Sequence, residues 1–400
     1  MSPETAPGNR VPPWLRTAFG AQATLLVGMG LGRFSYTPMV PALVQAGAVS
    51  PSEAGYIGAA NLGGYLVGGL AVPWLRAVAD TRAILRASLA LSAVLLGASA
   101  IPAGFLWLAA CRGLLGAAVA VMMILAIATV TVAAPVRHLG KATGIAFTGV
   151  GLGIFLSAAA VPTLLEHGLP WAWAGVAAIG AVGLGVGLWG WGGGSPPPAD
   201  AEPRPATAPG PRSVSGDAIR LVAAQALFSL GLVPHSIYWV DYLVRGLGWS
   251  MADGGLQWTL FGAGAVVGTV LWGRLADRIG FSSALTLVFA SLAVGIALPA
   301  IAPGPVTIVL SSLVVGAQPG LSAVIAGRAQ KAIGTGSMVG LWRWMVLAVG
   351  TAQLVGGYGL VALFEARGSY AEVFLVGAAA MLGGAILAFG LRRGDRIPQG

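Results

Sequence analysis

The chain has 400 residues, 56% of them hydrophobic and 9% charged. A soluble domain carries about 25% charged residues, so an ordinary water-facing surface is excluded. The formal charge of +9 does not point to nucleic acid, because Lys and Arg sit one to three at a time between apolar runs rather than in one patch.

Residues 1–14 are polar and Pro-rich and read as a disordered cytoplasmic tail. No cleavable signal peptide is expected, since the first apolar run is too long for an h-region. Twelve apolar runs follow. Spans 1 to 6 lie at 15–45, 54–75, 83–101, 105–133, 142–165 and 170–190. Spans 7 to 12 lie at 217–245, 253–272, 281–301, 304–327, 336–364 and 369–391. Each approaches or exceeds the roughly 20 residues a helix needs to cross hydrocarbon. Helices are implied because open backbone finds no partner in lipid, and the runs are too long and uniform for barrel strands. Residues 191–216 are rich in Pro, Gly, Ala and charge and cannot form a core. The expected fold is therefore an all-α membrane protein of twelve transmembrane helices in two six-helix bundles. The bundles cover 15–190 and 217–391, joined by a flexible cytoplasmic linker at 191–216 and followed by a cytoplasmic tail at 392–400.

Lys and Arg placement sets the orientation. With the N-terminus inside, Arg245 and Arg367 fall outside and Arg33, Arg112 and Arg343 within spans; the rest of the 22 lie inside. Both termini are expected in the cytoplasm of an inner-membrane, multi-pass protein. Among the 62 glycines, those within spans allow close helix approach or smooth sliding faces. The single cysteine, Cys111, permits no intramolecular disulfide and reads as a packed thiol.

Costly groups stand out against this background. Arg33 lies beyond mid-depth of span 1, with Tyr36 and Thr37 on its face and Pro38 and Pro41 positioned to bend the helix over a cavity. Two readings stay open: contact with an anionic solute, or a structural arginine holding carbonyls or Asp241. Arg112 opens span 4. In span 7, His235, Tyr238, Trp239 and Tyr242 share one stripe suited to an aromatic-lined cavity with a titratable histidine, or to a histidine bonded within the bundle. Asp241 is spaced either to carry a proton or to pair with Arg245 at i+4. Arg343, between Trp342 and Trp344, either lines the cavity from the second half or snorkels to the interface. Gln353 is a buried-amide candidate beside Asn61, Gln225 and Gln318. The histidines at 138, 167 and 235 are too far apart for a local metal motif, and no cofactor or metal is expected.

Gly273-Arg274-Leu275-Ala276-Asp277-Arg278-Ile279-Gly280, placed in the loop between spans 8 and 9, resembles the G-x-x-x-D-R-x-G loop of the major facilitator superfamily. Its first-half counterpart, Arg76 to Arg82, keeps an aspartate at Asp80 and lacks the leading glycine. Gly273, Asp277, Arg278, Gly280 and Asp80 would then form gating or structural loops. Gly30-Leu31-Gly32-Arg33-Phe34-Ser35-Tyr36-Thr37-Pro38 and its continuation to Pro41 look like the corresponding segment of the YbfB/YjiJ-type branch, as do Gly231 to His235 and Asp241 more loosely. Arg112 and Gly116 resemble the span 4 R-x-x-x-G motif, which implies proton coupling or structure. Gly144, Thr148, Gly149, Gly151 and Gly153 resemble an antiporter-associated segment without its Gly-Pro pair.

The expected function is secondary active transport, not catalysis. A small organic solute, anionic or carboxylate-like, would cross by alternating access with protons as the coupling ion, in a monomer embedded in lipid. Arg33, Tyr36, Thr37, His235, Tyr238, Trp239, Arg343 and Gln353 are the substrate-binding candidates; Asp241, His235 and Arg112 are those for the proton. Alternatives are proton-driven efflux of amphipathic compounds and, more remotely, a membrane sensor or lipid-modifying enzyme. The topology is checked by maleimide labelling: Ser213→Cys and Arg278→Cys are expected to react only from the inner face, with Cys111 silent.

Overall fold

The computed structural model describes residues 11–135, 138–192, 216–322, 324–325, 328 and 338–391, with only the backbone of 139–140, 269 and 338–343. Most of the linker at 191–216 and the tails 1–10 and 392–400 lie outside the described residues. Helical stretches occupy the positions of the apolar runs. Nine described helices are individually long and apolar enough to cross a membrane, and ten if the bent helix 251–279 is one span. The remaining passages are residues 13–45, broken into short pieces, and Pro51–Val78, whose glycines dilute its apolar character. Large apolar side chains face outward, with Leu106 at 78%, Val306 at 72% and Trp74 at 70% exposure. Water would penalise such a surface; lipid does not.

Spans 1 and 7, at equivalent places in the two halves, are the broken ones. Span 1 runs as an α-helix over Pro13–Leu25, a π segment over Leu26–Leu31, a short turn over Gly32–Phe34, a 3-10 turn over Thr37–Met39 and a last helix over Val40–Gln45. Pro38 and Pro41 lack the N–H that would continue the ladder. Span 7 runs over Gly216–Gly231 and Val233–Ile237, then Trp239–Asp241 and a π segment at Tyr242–Gly246, with Pro234 at the first break. Interrupted helices in corresponding positions of two halves are where transporters place their sites.

Within each half one crossing is locked by glycine. An added Cβ on Gly116 of span 4 would meet the Asn61 carbonyl oxygen of span 2 at 1.9 Å. In the second half, a Cβ on Gly316 of span 10 would meet the Phe261 carbonyl oxygen of span 8 at 2.2 Å. The halves meet through span 2 against span 11 and span 5 against span 8.

The face carrying the described chain ends is stapled by arginines that bind the last carbonyls of each half. Arg16 Nε donates to the Trp189 oxygen at 2.8 Å, and Arg86 donates to that of Trp191. Arg328, 3% exposed, donates to Ser282 Oγ at 2.7 Å, Asp217 at 3.0 Å and the Leu391 oxygen at 3.2 Å. Guanidinium groups at helix C-termini also oppose the macrodipole.

The segment Gly273 to Gly280 differs from the loop expected there. Helix Met251–Ile279 continues through it and stops at Gly280, whose φ of 84° suits glycine. The helix bends by 41° between Gly268 and Val270, ahead of this segment, and runs on to Ile279. Asp277 and Arg278 are exposed on its last turn. Asp80 caps span 3, accepting from the Arg82 and Ala83 amides at 3.0 Å each.

Gly116→Val is expected to cost about 2 kcal/mol or more by overpacking a carbonyl contact that cannot yield. The check is the thermal midpoint of the detergent-purified protein, which should fall clearly below wild type.

Candidate functional site

The break in span 1 leaves backbone carbonyls without helical partners, and polar side chains from spans 2 and 4 supply them. Arg112 Nη2 donates to the Arg33 carbonyl at 2.8 Å. Asn61 Nδ2 donates to the Arg112 carbonyl at 3.0 Å and to that of Gly32 at 3.4 Å. The Arg112 guanidinium lies 4.8 Å from the Tyr36 ring centroid, a cation–π arrangement. Arg112 thus acts as a clip on the opened helix.

Arg33 is held differently. It is buried at 7% exposure, its guanidinium is 5.5 Å from the Phe34 ring centroid, and its Nε has no hydrogen-bond partner. Among the described residues no carboxylate pairs with it. Nε and Nη1 of Arg112 are also buried without partners. The acidic residues between 15 and 190 are Glu53, Asp80 and Glu166, none within the interior of a span. Two guanidinium groups therefore stand in the first bundle without an acidic counter-charge there.

Span 7 presents the facing wall. His235 is fully buried, its Nε2 is 2.9 Å from Ser311 Oγ, and its ring stacks on Trp239 at 4.4 Å. Trp239 Nε1 donates to Ser312 Oγ at 3.2 Å, and Ser312 donates to Gln257 Oε1 at 2.9 Å. At the end of this wall Arg245 grips Asp241 with two nitrogens, at 2.5 and 2.7 Å. Tyr370 of span 12 donates to the same carboxylate at 2.7 Å. Asp241 is 1% exposed and fully engaged.

Away from the terminal face the two walls touch. Thr37 Oγ1 donates to the Ser236 carbonyl and Tyr56 OH to Glu365 at 2.9 Å, while Tyr36 OH donates within the first bundle to the Ala54 carbonyl at 2.9 Å. The Tyr238 hydroxyl is buried without a hydrogen-bond partner, and a Cβ added to Gly55 of span 2 would stand 2.7 Å from it. Towards the terminal face, a cavity of about 70 Å³ remains between the halves, lined by Tyr65, Gln225 and Met345 among others. A larger open cleft, about 820 Å³, lies off-centre among the ends of spans 1, 5 and 8 and is lined by Gln45, Pro162, Glu166 and Leu256. It contains none of the buried cations.

The sequence-derived candidates thus fall into groups. Arg33, Tyr36, Thr37 and Arg112 cluster at the span 1 break; His235, Tyr238, Trp239 and Asp241 form the facing wall. Gln353 of span 11 is buried with its Oε1 unbonded. The side chain of Arg343 lies outside the described residues. Gly273, Asp277, Arg278, Gly280 and Asp80 sit at the terminal face, away from both walls. Tyr370, Trp258, Gln257, Ser311, Ser312 and Tyr65 had no signal of their own, because each joins the site from a distant span.

Residues 25–389 match the model of the family described as uncharacterised MFS-type transporter YbfB. The chain belongs to this family. No curated protein matches it. Among solved structures, this YbfB-type chain is similar to the xylose transporter XylE from E. coli in a partially occluded inward-open conformation. That match has a TM-score of 0.75 at 15% identity and covers 97% of this chain and 98% of that one. It is also similar to a crystal structure of D-xylose-proton symporter, with a TM-score of 0.71 at 15% identity over 95% and 98% of the two chains. A mutant of the peptide transporter POT matches with a TM-score of 0.68 at 18% identity over 93% and 94%. At these identities the likeness shows the fold: the major facilitator arrangement of two helical bundles.

Arg33→Met and Arg112→Met are expected to separate. Arg33→Met removes a buried charge without a hydrogen-bonded partner and should leave the thermal midpoint unchanged or raise it. Arg112→Met strands the Arg33 carbonyl and should lower stability by about 1–3 kcal/mol. Differential scanning fluorimetry on both variants gives the comparison.

Proposed function

We propose that this YbfB-type protein is a secondary active transporter moving a small organic anion, carboxylate-like in charge, by alternating access. The observation that carries the reading is the pair of buried guanidinium groups at the span 1 break with no acidic partner from their own bundle. A charge held in the membrane interior costs at least about 2.5 kcal/mol, so a site that keeps one is matched to a ligand of opposite sign. Around the two guanidinium groups, Arg33 Nε, Arg112 Nε and Nη1, and Trp258 Nε1 are buried unpartnered donors, while the unpartnered acceptors Gln225 Oε1 and Gln353 Oε1 belong to spans 7 and 11. Such a site fits a ligand rich in acceptors, as a carboxylate is.

The conformation supports a route. The seam is closed at Thr37–Ser236 and Tyr56–Glu365, while the small cavity lies on the side of the chain ends. With both termini in the cytoplasm of an inner membrane, this is a form closed to the outside. Rocking of the halves along spans 2 and 11 and spans 5 and 8 would open the seam and close the other side. Asp241 is the buried acid of the second wall, and we assign the coupling proton to it: protonation would weaken its grip on Arg245 and Tyr370, loosening the closed seam. His235, sealed among aromatic rings, positions Ser311 and Trp239. That a D-xylose-proton symporter shares this fold supports proton coupling.

A second reading, efflux of amphipathic compounds, is favoured by the open cleft of about 820 Å³ among spans 1, 5 and 8. Arg33 plays no part in that route.

Reconstituted into proteoliposomes and tested against a panel of labelled organic anions, the wild-type protein should accumulate its solute when a pH gradient is imposed. Arg33→Met should reduce transport about 10- to 100-fold, the scale of one charge-assisted hydrogen-bond set. Asp241→Asn should abolish gradient-driven accumulation while keeping exchange at zero gradient. Transport of amphipathic cations with full activity in Arg33→Met would support the cleft instead.

A further inference from the structure

Resting on the anion reading above, we infer that the solute carries its negative charge on a flat, unsaturated ring, and that Phe34, Trp258 and Phe261 select for that ring.

The inference starts from what surrounds Arg33. The residue next to it, Phe34, is buried, and its ring centroid lies 5.5 Å from the guanidinium. Phe34 reaches across the seam into the second bundle. There it meets Trp258 at 6.3 Å and Phe261 at 6.2 Å, tilted by 42° and 44°. Those two rings lie nearly parallel, 4.6 Å apart at 12°. His235 continues the array, 6.4 Å from Phe261 at 21° and 4.4 Å from Trp239 at 22°. The second bundle thus offers consecutive flat faces, and the first bundle touches them with one tilted ring beside a bare cation.

Plain core packing accounts for buried rings but not for the polar atoms left among them. Trp258 is fully buried and its indole Nε1 has no hydrogen-bond partner. His235 Nδ1 is likewise buried and unbonded. Buried indole N–H groups usually find a partner, and leaving one without costs about 1–3 kcal/mol. Unsatisfied polar atoms within an aromatic array that Phe34 joins to the Arg33 guanidinium describe a site collapsed on itself. In the collapsed form Phe34 occupies the seam. When the seam parts, a planar ring can lie against Trp258 with its carboxylate on Arg33. A saturated ring of the same size and charge presents no face for stacking, and a neutral aromatic amide presents no charge.

The test is ligand binding to the purified full-length protein at pH 7.5, read by thermal shift and tryptophan fluorescence. The probes are benzoate, cyclohexanecarboxylate and benzamide. Benzoate should bind about tenfold more tightly than cyclohexanecarboxylate, the scale of a good aromatic contact, and benzamide should bind least. Trp258→Leu should erase the difference between the two acids, and Trp258→Phe, which keeps a flat face and the fold, should retain most of it. Equal affinity for both acids in the wild type, lost together in Arg33→Met, would overturn ring selection and leave the anion reading standing. Binding of neither acid, or benzoate binding undiminished in Arg33→Met, would overturn both.

Discussion

A guanidinium withdrawn from water without a counter-charge is the constraint around which this molecule is arranged. Arg33 is held where the dielectric is low, and the surrounding structure does not neutralise it. Just beyond it, span 1 departs from a straight helix at Pro38 and Pro41. The departure exposes carbonyls, and those carbonyls require donors. Arg112 and Asn61 meet that need from the neighbouring spans, so the clip, the break and the bare cation are one unit. Remove the break and Arg112 has nothing to hold.

The opposite wall shows the contrasting solution. Asp241 is as deeply buried as Arg112, yet it is satisfied three times over by Arg245 and Tyr370. One bundle therefore carries compensated charge and the other uncompensated charge, across a seam closed by Thr37 and Ser236. An asymmetry of this kind within a two-fold layout is the physical basis for giving the halves different duties.

The architecture could be read from the sequence because lipid forces long, uniform apolar runs and loops have to carry the charge. The break in span 1 was legible through Pro38 and Pro41, since proline acts on its own helix; the one in span 7, at Pro234, was not read from the sequence. The proximity of Asp241 to Arg245 was legible too, since it needs only a spacing of four. What was not legible came from elsewhere in the chain: Tyr370 reaches Asp241 across 129 positions, and Arg112 reaches Arg33 across 79. The stripe of His235 and Trp239 was visible, but not that Ser311 and Ser312 would fasten it. The segment ending at Gly280 read as a loop because glycines bracket it; nothing between them stops a helix, and it remained one to Ile279.

The arginines at the terminal face have a consequence for any attempt to manipulate orientation. Arg16, Arg86 and Arg328 are among the charges that would hold their side of the protein against translocation. The same side chains close off the last carbonyls at Trp189, Trp191 and Leu391. With the terminal face in the cytoplasm, insertion signal and mechanical fastener would be one chemical group. Neutralising these residues to invert the protein would unfasten the sixth and twelfth helices as well, so a scrambled insertion pattern and a loosened bundle would arrive together and could not be told apart by activity alone.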